Sequence, residues 1–235
     1  MSEKILGVLG GLGPLATVYF MDLIVKMTEA KKDQDHISMI VLNHAAIPDR
    51  TEYILDNSKP NPLPMMIEDA KKLQAAGSAY VVMPCNTAHF FYEQIQNNLS
   101  IPMLNIIEET VKDACDKGVK KLGILATKGT VSAGSYQSMC EKYGIEWAVP
   151  SADDEQSLMN IIYNQVKAGK EISISEFLRI VENMKADGCD AVTLGCTELS
   201  VINKDFELHR DDIIDSLEVL ARRSIELCGK KVKVN

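Results

Sequence analysis

Sliding the chain against itself aligns two separated pairs of segments in the same order, and this repeat constrains the fold more than any other feature. Lys4, Leu6, Gly7, Val8, Leu9 and Gly13 match Lys120, Leu122, Gly123, Ile124, Leu125 and Gly129. Further on, Gly77 with VVMPCNT matches Gly188 with VTLGCTE, and in both halves the cysteine lies eight residues after the glycine. Short apolar strings often match by chance, but shared order and nearly equal offsets point to a duplicated unit.

The pattern around the repeat says what that unit is. Short apolar runs alternate with stretches of helical period: ILGVL, then 14 to 31; SMIVL, then 64 to 76; YVVM, then 87 to 98. The alternation resumes with KLGILA, a helical stretch at 131 to 142, IEWAV, two helical stretches between 152 and 186, and AVTLG. Such β-α units build parallel sheets. The expected fold is α/β, with two pseudo-symmetric parallel-sheet domains at 1–105 and 106–206, and 235 residues are enough to give each a core. From Asp211 to Cys228, Ile213, Leu217 and Leu220 share one face of an expected helix, so the segment 207–235 is expected to pack back on the first domain.

Ligands of parallel sheets bind beyond the carboxyl ends of the strands. Cys85 and Cys196 both fall there, so the active site is expected in a cleft between the domains, with one thiol on each side. Each cysteine precedes a helical stretch whose first amides should favour an anion and lower the thiol pKa from about 8.5. Backbone amides and hydroxyls of Asn86, Thr87, Thr197 and Glu198 can hold a carboxylate there. Two equivalent thiols suit racemisation. One, as thiolate, removes the α-hydrogen from one face of a carbon while the other, as thiol, protonates the opposite face. The remaining cysteines, 115, 140, 189 and 228, sit in helices or before a strand and read as structural.

Composition excludes other classes. A net charge of −8 argues against nucleic acid as a partner. The start, MSEKILGVLGGLG, reads as neither a signal peptide nor a membrane span, so a cytoplasmic protein with reduced thiols and no membrane partner is expected. The histidines at 36, 44, 89 and 209 have no ligand spacing, and no metal site is expected.

With the two cysteine segments in place, MPCNTAHF at 83–90 and LGCTELS at 194–200 resemble the signature motifs of the aspartate/glutamate racemase family. GGLGPLAT at 10–17, IPDRT at 47–51 and GTVSAGSY at 129–136 resemble its aspartate branch. The glutamate branch has an Asp-Ser pair after its first strand and a histidine after the second Cys-Thr. Here Gly10, Gly11 and Glu198 stand in those places. The resemblance implies racemisation of an acidic amino acid without pyridoxal phosphate, metal, nucleotide or other cofactor, in a homodimer. It assigns Cys85 and Cys196 as the acid/base pair and Asn86, Thr87 and Thr197 to the α-carboxylate and amino group. Arg50 and Lys167 match the family's basic residues near the site, and Gly11, Thr127 and Thr130 complete the expected substrate contacts.

Three rivals make different demands. Gly11, Gly13 and Ala16 fit a G-x-G-x-x-A dinucleotide turn, but the next strand ends at Asn43 and His44, without an acid for a ribose. A cysteine hydrolase would pair Cys85 with His89, four residues on, and leave Cys196 unexplained. A non-catalytic amino-acid-binding protein would bind ligand without exchanging hydrogen. A related two-cysteine racemase acting on another amino acid or a hydantoin differs only in substrate.

Overall fold

The computed structural model describes residues 4–208 and 210–233; His209 and the first three residues of the amino-terminal motif lie outside them. The chain divides into two compact units: residues up to Ile106 together with those from Leu217 onward, and Ile107–Ser216.

The first unit holds a three-stranded parallel sheet in the order β2-β1-β3. β1 (Leu6–Gly10) is buried at every position, as suits a central strand covered on both faces. It runs parallel to β2 (Met39–Asn43), with Leu6 opposite Met39, and to β3 (Tyr80–Val82), with Val8 opposite Val82. α1 (Pro14–Met27) opens on proline, whose missing N–H would be unpaired there anyway. It stops short of the expected residue 31 because Thr28 is extended and bridges antiparallel to Val232, and Glu29 donates its N–H to the Lys231 carbonyl. α2 (Arg50–Leu55) and α3 (Leu63–Ala75) follow. The glycine-rich turn is shaped by the close approach of β2: Gly11 has φ +90°, and a Cβ on it would lie 2.3 Å from the His44 carbonyl carbon. Steric need in the β1–β2 crossing therefore accounts for a glycine that a dinucleotide fingerprint would also use.

The helical stretch expected at 87–98 is a 3-10 turn, Thr87–Phe91, followed by α4 (Tyr92–Gln96). The chain then returns to the sheet with a single parallel bridge, Val81 to Met103, and enters α5 (Ile106–Asp116).

The second unit carries a four-stranded parallel sheet in the order β5-β4-β6-β7. Its central strand β4 (Lys121–Ala126) leads to α6 (Lys128–Ala133) and α7 (Ser135–Tyr143). The sequence suggested one helix over 131–142, but Gly134, at φ +68°, divides it. Then come β5 (Glu146–Ala148), α8 (Ala152–Asn160), a π-helical turn over Ile161–Val166, α9 (Ile174–Ala186), β6 (Ala191–Gly195) and α10 (Thr197–Asp205).

The expected helix from Asp211 is corrected at its start. Ile213–Asp215 is a buried strand, β7, parallel to β6, and only Ser216–Leu227 is helical, as α11. Ile213 had the spacing of a helix face with Leu217 and Leu220, yet it is buried by sheet pairing, and helical and strand periods cannot be separated over so few residues.

The repeat maps onto equivalent positions. In each sheet the K-x-L-G strand is interior and the strand leading to the cysteine is its neighbour. Where β7 pairs with β6 in the second unit, the Met103 bridge to β3 stands in the first, and each is followed by a helix, α11 and α5. Among the described residues no helix is long and apolar enough to cross a membrane.

Candidate active site

In the first unit the β3 strand ends in a tight turn, with the Cys85 N–H donating to the Met83 carbonyl at 2.8 Å. Cys85 is buried in a cluster that includes Leu12, Ile47, Met83 and Ala88. Asn86 and Thr87, next in the chain, are buried too, and the Asn86 carbonyl accepts from the His89 N–H. Gly11 stands beyond the end of β1.

His89 is a brace for this turn. Its Nδ1 lies 2.8 Å from the Cys85 carbonyl, and its Nε2 lies 3.2 Å from the Ile106 amide nitrogen. A carbonyl can only accept and an amide N–H only donate, so the ring is neutral with its proton on Nδ1. Burial pushes its pKa down to about 4, against smaller opposite effects of the Cys85 and Leu104 carbonyls. The ring thus spends both nitrogens on backbone groups. This removes the base that the hydrolase reading needed.

That arrangement has a signature in stability. The folded pKa of His89 lies below the unfolded value of 6.5, so as pH falls through 6.5 the unfolded chain takes up a proton that the folded chain refuses. The contribution is complete above pH 6.5 and lost progressively toward pH 4, and amounts to about 3 kcal/mol at most. Urea unfolding of the wild type and His89→Gln from pH 7 to 4 should show a stability difference that shrinks with acid. A flat difference would contradict the neutral brace.

Arg50, the first residue of α2, is buried and holds loops together. Nη2 donates to the Leu12 carbonyl at 2.8 Å, and Nη1 to those of Pro48 at 3.1 Å and Ile47 at 3.4 Å. Its buried Nε has no partner among the described residues. The guanidinium expected near the substrate is therefore largely occupied by backbone carbonyls. His44, beyond β2, has Nδ1 2.6 Å from Asp69 Oδ2 on α3, a pairing 25 positions apart that no sequence motif announces.

In the second unit β4 is followed by Thr127, which caps α6: its Oγ1 accepts from the Thr130 N–H at 3.2 Å, and the two hydroxyls lie 3.0 Å apart. Cys196 is the extended residue before α10, and the buried Thr197 is the helix's first residue. The Cys196 thiol donates to Glu198 Oε2 at 2.9 Å, and Glu198 Oε1 lies 3.7 Å from Lys167 Nζ. That ammonium also sits over the Tyr163 ring, 4.7 Å from its centre.

Helix amides had suggested an easily ionised thiol, and for Cys196 this is corrected. Burial first, and the Glu198 carboxylate second, push its pKa well up, while the Lys167 charge pulls the other way. The remaining cysteines divide: 140, 189 and 228 are buried, whereas Cys115 is exposed. Among the described residues no group of three His, Cys, Asp or Glu side chains is placed to hold a metal ion.

Both units thus place a buried thiol beyond a sheet's carboxyl edge, beside threonines and first-turn amides. Lys167 joins Cys196 through Glu198, and Arg50 joins the glycine-rich turn. Glu198 was visible in the sequence as a backbone amide after Cys196 and as a departure from histidine, but not as a partner of the thiol, and Tyr163 not at all.

Comparison with known proteins places these features in context. The profile of the family described as Asp/Glu/Hydantoin racemase matches residues 9–223. The chain is 29% identical over 225 residues to the broad specificity amino-acid racemase RacX of Bacillus subtilis, covering 94% of this chain and 96% of that one. Its structure is similar to the aspartate racemase of Picrophilus torridus, with a TM-score of 0.83 and 32% identity over 98% of this chain and 96% of that one. An aspartate racemase homologue from Pyrococcus horikoshii gives a TM-score of 0.78 and 26% identity, over 97% and 100% of the two chains.

Proposed function

Because the chain belongs to the Asp/Glu/Hydantoin racemase family, we propose that it is an amino-acid racemase that interconverts L- and D-aspartate without a cofactor, using Cys85 and Cys196 as its acid/base pair. The carrying observation is the equivalent station of the two thiols, each following the strand beside the centre of its own sheet.

In the reaction, a thiolate takes the α-hydrogen, so the Cα–H bond breaks and an S–H bond forms. The electron pair stays on the α-carbon and its carboxylate. The other thiol then gives its proton to the opposite face and becomes the thiolate, which is the starting state for the other enantiomer. Asn86, Thr87 and Thr197, with Gly11, Thr127 and Thr130, hold the α-carboxylate and amino group in this reading. The buried donors of Asn86, Thr87 and Thr197 favour the charge that builds toward the carboxylate.

A broader substrate range is the second reading. Arg50 donates to three backbone carbonyls and Lys167 faces Glu198, so neither cation is reserved for a second substrate carboxylate. The similarity to a broad specificity amino-acid racemase supports the same reading. We extend the proposal to a cytoplasmic homodimer on the family resemblance alone, and sedimentation at working concentration tests the dimer.

The test of function is incubation with L- and D-aspartate in deuterium oxide, following chirality and loss of the α-hydrogen, with glutamate and neutral amino acids alongside. Inversion of aspartate with α-deuteration is expected, and it should survive EDTA and hydroxylamine, which remove metals and pyridoxal phosphate. A protein that exchanges no amino acid is not a racemase. Comparable kcat/KM for neutral substrates would select the broader reading.

A further inference from the structure

Beside Cys196 the two-thiol mechanism leaves a buried carboxylate without a task. Glu198 is 8% exposed, and its two oxygens face different partners: Cys196 Sγ on one side and Lys167 Nζ on the other. Lys167 does not arrive by ordinary helical register. Its N–H bonds to the Ile162 carbonyl, five residues back, because the turn Ile161–Val166 is π-helical. Such a turn inserts an extra residue, re-aims the side chains after it, and recurs at functional sites. Here the re-aimed group is the Lys167 ammonium, which sits against both Glu198 and the Tyr163 ring.

We propose that Cys196 and Glu198 hold a single proton between them, balanced by Lys167, and that Glu198 is the positioning residue that lets Cys196 serve as acid in one direction and base in the other. The inference rests on the racemase reading. With the proton on Sγ, the pair is a thiol and a carboxylate carrying one negative charge. Moving it to Oε2 breaks the S–H bond, forms an O–H bond and leaves a thiolate and a carboxylic acid, again with one negative charge. Lys167 faces both states with one positive charge. Cys196 thus becomes a base without a second buried anion, whose desolvation would be costly.

The charged groups acting on Cys196 are Glu198, from α10, and Lys167, at the end of the π-turn. Their signs are opposed, and so are the effects of removing them. Enantiomers have equal free energy, so kcat/KM must stay equal in both directions for every variant. The informative readout is therefore ionisation of each thiol.

Iodoacetamide alkylation of Cys196 and Cys85, monitored separately by peptide mass spectrometry across pH, supplies it. In Glu198→Gln the Cys196 profile should move to lower pH by at least about one unit, or about tenfold faster labelling below the midpoint. Lys167→Met should move it to higher pH, and Glu198→Asp should stay near the wild type. The Cys85 profile should hold still in all three. An unchanged Cys196 profile in both Glu198→Gln and Lys167→Met overturns the shared proton. Lys167 is partly exposed, so its variant carries the test if Glu198→Gln does not fold. A wild type that exchanges no α-hydrogen would instead overturn the racemase reading, whatever the alkylation profiles.

Discussion

Serine in place of either Cys85 or Cys196 should cut racemisation by about a thousandfold, within the range expected for losing a general acid or base. A serine hydroxyl is far less acidic than a thiol, so it supplies neither the base nor a matched acid, while the change in volume is small. The two variants should not fail alike. With serine at 196, the Cys85 thiolate still removes the α-hydrogen from the one enantiomer whose hydrogen faces it, and returns deuterium to the same face. With serine at 85 the other enantiomer should exchange. Proton NMR of each enantiomer in deuterium oxide therefore assigns each thiol to its enantiomer. Either variant keeping more than about a tenth of wild-type racemisation would end the two-thiol mechanism.

The second large effect lies at Arg50. Arg50→Met should destabilise the protein by about 3 kcal/mol or more, because the Leu12 and Pro48 carbonyls each lose a charged donor, at about 1–3 kcal/mol apiece. The longer bond to Ile47, at 3.4 Å, adds little. Arg50→Lys keeps the charge, but one ammonium cannot reproduce a planar fork between the glycine-rich turn and the 47–48 loop, so it should recover only part of the loss. Urea unfolding midpoints measure both. An unshifted midpoint for the methionine variant would mean that these loops hold together without the clamp.

The features legible in the sequence are those that repeat or that burial enforces. From the leucine onward the K-x-L-G strands carry only apolar residues and glycine because both are interior strands, and both cysteines stand out because the neighbouring strand and its exit recur. Elements defined by pairing escaped notice. β7 offers only Ile213, Ile214 and Asp215, and its counterpart around Met103 is a single bridge, so neither is long enough to show a period. The equivalence of α5 and α11 was hidden for the same reason. At the site, the repeat found Cys196 and Thr197 and the family resemblance Lys167, but neither found the chain of contacts among them. A π-turn has no compositional mark, and a hydrogen bond from Cys196 to Glu198 depends on side-chain placement. The bracing role of His89 was not legible, because a spacing of four suggests side chain facing side chain, whereas the ring reaches the Cys85 backbone.

The division of the chain also has a temporal side. The second unit is one uninterrupted stretch, whereas the first is broken and receives α11 from far downstream. Lys4 donates to the Leu227 carbonyl, Thr28 bridges to Val232, and Glu29 and Met27 exchange hydrogen bonds with Lys231 and Lys233. During synthesis on the ribosome, the part translated first must therefore wait, with these backbone groups unpaired and the seat of Leu217, Leu220 and Ile225 uncovered, until the second sheet has been made. The half begun first is completed last.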